Sequence, residues 1–366
     1  MIVNTGIFLI SSFLITLGCI PTIKLIANKY RKYLKKSFVF KFESTPIRRN
    51  SNLIEEKKSK KLVRLGGMGL LVSFLICNIL FNKFFPIIGS ESIYLTIIVG
   101  SIIFSLIGFI DDIYILSPWP RLFLQTLTSI YVWSGGVRIS GFSNYFYGPL
   151  QGDLEFGTLT SVCITTLFIV GITNAINWLD GLDGLAAGVI SISSFGLLIL
   201  SFPSGSFCNI FLISLILSSS LGFLVFNSYP ASIFMGDCGS YFLGFGIAVL
   251  NITINNDINN SVSFFPFTLI LGLPILDMLV VIFKRIFQKK SPFYPDQNHL
   301  HYKLLFSGFN HKDSVIMIYA IHCLLISLAV LKVNILWTLL FLLIAIIMTL
   351  RLNKIQQIIV GIFKNK

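Results

Sequence analysis

The polar chemistry of this chain is concentrated in a few short segments set inside long apolar runs. The densest reads N-A-I-N-W-L-D-G-L-D-G-L from Asn174 to Leu185 and places Asn174, Asn177, Asp180 and Asp183 at a spacing of three. On a helix that spacing drifts slowly around one face, so the four side chains are expected to converge on one bound group. The two steps Asp180-Gly181 and Asp183-Gly184 also supply a turn between two apolar segments. A turn alone does not call for the two amides, and ionisable groups at membrane depth are costly enough to be read as functional. Further acids stand in G-F-I-D-D (Asp111, Asp112), in P-A-S-I-F-M-G-D-C-G-S (Asp237), at Asp277, and in a loop that holds Asp296, His299 and His301.

Several carboxylates with no paired cysteines and two histidines nearby suit a hard divalent cation, Mg²⁺ or Mn²⁺, better than zinc. Mg²⁺ is usually held by one or two carboxylates together with substrate phosphates, so a diphosphate is the natural substrate. Phosphoryl transfer then asks the protein for positioning and charge neutralisation. Arg121, His299 and His301 are the candidate cations, although Arg121 also reads as a snorkelling anchor and H-x-H alone is a weak pattern. Gly66, Gly67 and Gly69 serve either close helix packing or a phosphate contact. Asp111 and Asp112 are adjacent and therefore about 100° apart on a helix, so one is expected to face the metal and diphosphate. The other faces the lipid phosphate or a partner such as Arg121, and Asp111 is the candidate base.

The elements that must position these groups follow from composition. At 366 residues, 55% hydrophobic and 12% charged, with mean hydropathy +0.85, the chain is excluded from the soluble globular class. It reads as an all-α polytopic membrane protein, with about eleven transmembrane helices over 3–27, 66–88, 92–115, 118–137, 158–178, 184–203, 207–227, 238–254, 264–287, 314–332 and 334–350. Residues 1–350 form one catalytic domain, with a basic loop at 28–64 and a histidine-containing loop at 288–313. Residues 351–366 read as an amphipathic tail on the inner leaflet. The six cysteines stand singly and read as small core residues, and His322 reads as a packed core residue. The first apolar run lacks a cleavage signature and is expected to remain as a helix.

Thirteen Lys and Arg lie between 28 and 64, and more follow at 284–312 and 351–366, whereas the opposite side holds Lys83, Arg138 and Lys332. The positive-inside rule then places the N-terminus outside and the C-terminus in the cytoplasm. The net charge of +13 is chiefly this topology signal and gives no argument for nucleic acid. Threaded this way, Asp111, Asp112, Asp180, Asp183, Asp237, Asp277, His299 and His301 all reach the cytoplasmic face.

Five segments in order resemble the polyprenyl-phosphate N-acetylhexosamine-1-phosphate transferases of bacteria, a family that includes the eukaryotic dolichyl-phosphate enzymes. They are R-L-G-G at 64–67, G-F-I-D-D at 108–112, N-A-I-N-W-L-D-G-L-D-G-L-A at 174–186, P-A-S-I-F-M-G-D-C-G-S at 230–240 and S-P-F-Y-P-D-Q-N-H-L-H at 291–301. The resemblance implies a bacterial plasma-membrane enzyme that moves sugar-1-phosphate from a UDP-N-acetyl amino sugar to polyprenyl (undecaprenyl) phosphate, with Mg²⁺ and release of UMP. By motif position Asp237 resembles the principal metal ligand, and Asp111 and Asp112 the pair that activates the lipid phosphate or supports the metal. Asn177 and Asp180 resemble nucleotide or diphosphate contacts, Phe234 the ring stacking on uracil, and His299 and His301 diphosphate contacts. Arg64, Arg121, Asn174, Asp183 and Gly236 complete the expected substrate-binding set.

Many relatives carry a further His after the second, where this chain has Tyr302. The branch that makes the peptidoglycan lipid precursor has P-x-H-H-H, so P-x-Q-N-H-L-H here resembles instead the initiators of surface polysaccharides that use UDP-GlcNAc or a related donor. A phospho-MurNAc-pentapeptide transferase is the alternative of the same class. A secondary transporter is the rival of another class, but its site would gather near the midplane between repeats, and no repeat is visible. An inactive scaffold has little motivation while the carboxylates are retained. A homodimer is left open. In a cysteine-free background, a single cysteine placed between 28 and 64 is expected to resist a membrane-impermeant thiol reagent in intact cells; ready labelling overturns the topology.

Overall fold

Inside lipid every backbone N–H and C=O must find its partner within the chain, so apolar runs broken by Gly, Pro and Asp-Gly steps fold as helices. The computed structural model describes residues 2–29, 64–85, 91–142, 154–257, 268–291 and 298–331. Among these residues the helices are α1 (Ile2–Lys29), α2 (Gly66–Phe84), α3 (Glu91–Tyr114), α4 (Pro118–Ser134), α5 (Thr158–Leu179), α6 (Leu185–Ser201), α7 (Phe207–Asn227), α8 (Gly236–Asp257), α9 (Gly272–Phe287), α10 (Leu300–Phe306) and α11 (His311–Val330). A two-residue antiparallel ribbon, β1 (Gly141–Phe142) with β2 (Leu154–Glu155), is the exception to the all-α expectation.

Eight of these helices, α1, α2, α3, α5, α6, α7, α8 and α11, are long and apolar enough to cross a membrane. The expected span 118–137 is shorter than read, because Pro118 opens α4 and the turn Gly135-Gly136, with φ +108° at Gly136, closes it. The expected span 264–287 is continuous helix only as the 16 residues of α9. The histidine loop contains a helix that the reading above did not anticipate, α10. The expected span 334–350, the tail 351–366 and residues 30–63 of the basic loop lie outside the described residues.

Helix α8 sits at the centre, packed against α2, α3, α5, α6 and α7, and its apolar window is wholly buried. Helices at the rim turn apolar side chains outward, as Leu14 on α1 and Leu159 and Leu167 on α5 do. Close approach around α8 depends on small residues, the usual device where lipid offers helices no hydrophobic drive to associate. A Cβ on Gly67 would lie 2.1 Å from the Gly239 amide nitrogen, and one on Gly108 would lie 2.2 Å from the Asp237 carbonyl oxygen. Gly66 and Gly67 donate their amides to Phe234 O at 3.0 Å and Met235 O at 2.8 Å. Of the two roles open to these glycines, the geometry assigns packing, since the amides a phosphate would need are already taken.

His322 is buried against the Ser193 hydroxyl at 2.7 Å, as a core histidine should be. Cys77, Cys208 and Cys238 are buried, whereas Cys163 and Cys323 are exposed, which corrects the reading of the cysteines as core residues. Both exposed ones lie on apolar helices whose outer faces lipid would cover. Gly108→Ala is expected to force α3 away from α8 and to cost about 1–3 kcal/mol, as overpacking of a tight core does. Thermal unfolding in detergent checks this, and an unchanged midpoint would remove the tight contact.

Candidate active site

The C-terminal end of α3, the α5–α6 turn, the N-terminal end of α8 and Arg64, two residues before α2, meet at one end of the bundle. Asp111 and Asp112 close α3, and both are buried. They diverge as adjacent helical residues must. Asp111 Oδ2 accepts from Arg121 Nη1 at 3.0 Å and from the Tyr241 hydroxyl at 3.3 Å, while Oδ1 accepts from Leu116 N at 2.8 Å. Arg121 is therefore an ion-pair partner of Asp111 and not a free snorkelling anchor. Asp112 turns the other way, and its Oδ2 accepts from Cys238 N at 3.0 Å, in the first turn of α8, where unpaired amides and the helix dipole favour an anion.

Asp237 occupies that same first turn. Asn177 donates one amide to Asp237 Oδ1 and to Ser240 Oγ, both at 2.9 Å, so the end of α5 is tied to the start of α8. Gly236 has φ +75°, and a Cβ there would stand 2.7 Å from Asp112 Oδ2 and 2.9 Å from Arg64 O, a cradle that only glycine leaves open. Phe234 is half-buried two residues before it.

Asn174, Asn177, Asp180 and Asp183 do not converge on one face, which corrects that expectation. The helix stops at Leu179, so the three-residue spacing loses its meaning beyond it. Asn174 donates to Gln125 Oε1 on α4 at 2.7 Å and is a buried tie between helices. Asp183 is buried in the turn, where Oδ2 accepts from Ala231 N at 3.0 Å and its own amide donates to His311 Nε2 at 2.9 Å. Asn177 and Asp180 remain toward the α8 start. Asp180, half-buried, feels Arg64 as an opposite charge and Asp237, Asp112 and Asp183 as like charges.

The histidine loop closes over this turn. His301 is buried with both ring nitrogens lacking a hydrogen-bond partner among the described residues, and a Cβ on Gly181 would meet its Nε2 at 2.3 Å. Burial pushes His301 down to about 3, so it is neutral in this conformation. His299 stacks parallel to it at 5.7 Å and meets Trp178 edge-on at 5.6 Å. The residues that the reading above missed are Trp178, Ser240, Tyr241 and His311. Ser240 and Tyr241 follow Asp237 by three and four residues, so the spacing of α8 carried a signal for them. His311 had none, because only the fold stacks it on Tyr229 at 4.5 Å.

The donors here are oxygens, and Asp112 Oδ1 is buried without a partner among the described residues, which fits a hard cation such as Mg²⁺ or Mn²⁺. Among the described residues no three His, Cys, Asp or Glu side chains are grouped to hold a metal unaided. Asp112 and Asp237 could supply two carboxylates, with substrate phosphates completing the shell. Along one face of α9 runs an open apolar cavity of about 560 Å³, bordered by Leu276, Leu279, Val280, Phe283 and Phe287, with Lys284 and Gln288 among them.

Residues 94–255 match the sequence profile of glycosyl transferase family 4. The chain is also 35% identical over 297 residues, 80% of each chain, to the probable undecaprenyl-phosphate N-acetylglucosaminyl 1-phosphate transferase of Bacillus subtilis. The chain belongs to this family. Another relative is the decaprenyl-phosphate N-acetylglucosaminephosphotransferase of Mycobacterium leprae, 32% identical over 70% of this chain and 69% of that one. The phospho-N-acetylmuramoyl-pentapeptide-transferase of Caldicellulosiruptor bescii is 30% identical over 91% of this chain and 99% of its own. The matched stretch of this family 4 chain holds Asp111, Asp112, Asn177, Asp180 and Asp237 together.

Burial pushes the Asp180 carboxyl well above its ordinary value of 3.8; Arg64 opposes this, and the neighbouring carboxylates add to it. A folded-state value above the unfolded one means that ionisation costs stability. The favourable contribution of the protonated acid is present at low pH and is lost as pH rises through the folded value. Asp180→Asn is therefore expected to raise the thermal midpoint of the ligand-free protein at neutral pH. The gain should vanish below about pH 4, where the wild-type carboxyl is protonated in the unfolded chain as well. A midpoint at neutral pH no higher than wild type would mean that the charge is fully compensated.

Proposed function

We propose that this chain transfers N-acetylhexosamine-1-phosphate from a UDP-N-acetyl amino sugar, UDP-GlcNAc in the first place, to undecaprenyl phosphate, releasing UMP and starting a surface polysaccharide. The observation that carries this reading is the pairing of Asp112, whose buried Oδ1 has no partner among the described residues, with Asp237 at one helix N-terminus, in a chain whose relatives are named for that transfer. Membership of glycosyl transferase family 4 and the apolar helices make it a multi-pass membrane transferase that uses a polyprenyl phosphate. The basic loops support an N-terminus outside and a site on the cytoplasmic face, and the bacterial origin of the relatives supports the plasma membrane as the setting.

In this reading the acceptor's phosphate oxygen attacks the sugar-bearing phosphorus of the donor. The bond to the UMP phosphate oxygen breaks, and UMP leaves as a monoester. A lipid phosphate monoester has a second pKa near about 6 and is already mainly dianionic at neutral pH, so deprotonation adds little. With three donors already on it, Asp111 holds Arg121 and Tyr241 in place in preference to taking a proton. Asn177 fixes the Asp237 carboxylate, Arg64 and Arg121 offset diphosphate charge, and Phe234 offers a ring to uracil. His299 and His301 contact the diphosphate. The α9 cavity suits a prenyl chain, with Lys284 near its phosphate. Mg²⁺ held by Asp237 and Asp112 would supply charge neutralisation on the transferring phosphoryl group.

The test is purified protein with a panel of UDP-amino sugars, polyprenyl phosphate and Mg²⁺, read as UMP release and lipid-linked product. Turnover with UDP-GlcNAc is expected, and turnover only with UDP-MurNAc-pentapeptide would move the chain to the peptidoglycan branch. Asp237→Asn is expected to lower the rate about 10³-fold or more, since charge clamps in phosphoryl transfer are worth that much. Full activity of this variant, or activity undiminished by excess EDTA, would refute the metal assignment.

A further inference from the structure

Asp277 is a buried carboxylate for which the transfer reaction described above has no use. It lies in the second turn of α9, one residue from Leu276 in the wall of the apolar cavity. Its two oxygens reach the histidine loop separately: Oδ2 lies 2.8 Å from His299 Nδ1, and Oδ1 accepts from Leu300 N at 2.7 Å. Both members of the Asp277–His299 pair are buried. We propose that Asp277 is the positioning residue of the histidine loop, holding His299 as the Nδ1–H tautomer and anchoring the start of α10, which carries His301. The proposal rests on the reading of His299 as a diphosphate contact.

An ionised carboxylate can only accept hydrogen bonds, so Nδ1 must carry the proton and Nε2 is left for whatever the ring contacts. The ring cannot swing out of that orientation. Trp178 stands against it edge-on, from the helix turn that also carries Asn177, and His301 stacks parallel on its face. A carboxylate that orients a histidine through Nδ1 is a general way to set which nitrogen faces the reaction. Here a second bond goes to the backbone. Side chain and loop are thereby referenced to the same atom group on α9, so the histidines keep register with the helix that lines the apolar cavity. This explains why a carboxylate is retained on α9, where an apolar residue would cost nothing to bury.

The chain has four histidines, so ¹⁵N-histidine labelling of the full-length protein, purified through a tag without histidine, gives a spectrum assignable by single His→Gln variants. Wild type is expected to show His299 as the Nδ1–H form. Asp277→Asn keeps an acceptor for Leu300 N but can turn an N–H donor toward Nδ1, so His299 should shift to the Nε2–H form. UMP release should fall roughly 10²-fold through kcat, with KM for the UDP-sugar little changed. Asp277→Asn and His299→Gln should not be additive, the double variant matching the worse single one. The Nε2–H form in wild type overturns the proposal whether or not Asp277→Asn folds. An Asp277→Asn spectrum identical to wild type, or additive losses, does the same. A wild-type protein without UMP release fails the transferase reading instead, and leaves the tautomer result standing.

Discussion

The structure depends on how negative charge is held at the edge of a membrane bundle. Desolvating a carboxylate costs several kcal/mol unless donors replace the lost water. Asp111 meets that cost with a guanidinium, a phenol and a backbone amide. Asp112 meets half of it with the first turn of α8 and leaves one oxygen without a partner among the described residues. That asymmetry divides a support carboxylate from one that faces the reaction, and it arises from the 100° between neighbours on a helix.

Such an arrangement requires α2, α3 and α8 to approach to backbone contact, and the glycines at 67, 108 and 239 are what permit it. The same contacts bring the 230–235 segment against the start of α2, so the backbone that frames Gly236 is hydrogen-bonded on both sides. The site is thus built on the most buried helix of the bundle, with its loops tied down by side chains. Asn227 takes the Gly184 amide and donates to Ile233 O, and Tyr319 donates to Gly184 O at 2.5 Å. Rigidity of this kind suits chemistry in which positioning supplies most of the acceleration.

The histidine loop is held differently. It contacts the carboxylate site through side-chain packing, of His301 on Gly181 and His299 on Trp178, and hangs from α9 by Asp277. His299 and His301 are buried and His301 is neutral, so the loop covers the turn without adding positive charge to it from that ring. Ligand charge arriving at the turn is what would draw a proton onto that ring.

By itself the sequence determined the membrane class, the order of the eight span-length helices among the described residues and the gathering of acids at one end. Those follow from local properties: apolar runs of span length, breaks made by Gly and Pro, and carboxylates that lie beside breaks. It also marked Asp112, Asn177 and Asp237, whose segments resemble a known family. Tertiary structure alone decided partners. Spacing gives the face of a helix but not what packs on it, so Asn174 went to Gln125, Asp183 to Ala231 and Asp111 to Tyr241, while Arg121, expected as a partner for one acid of the Asp111–Asp112 pair, went to Asp111. The three-residue pattern misled because the helix ends at Leu179, inside the pattern, and periodicity has no force past a helix terminus. Asp277 and His299 are 22 residues apart and His311 and Asp183 are 128 apart, and no local rule reaches such separations; only the packing of α5, α6, α9 and α11 brings them together.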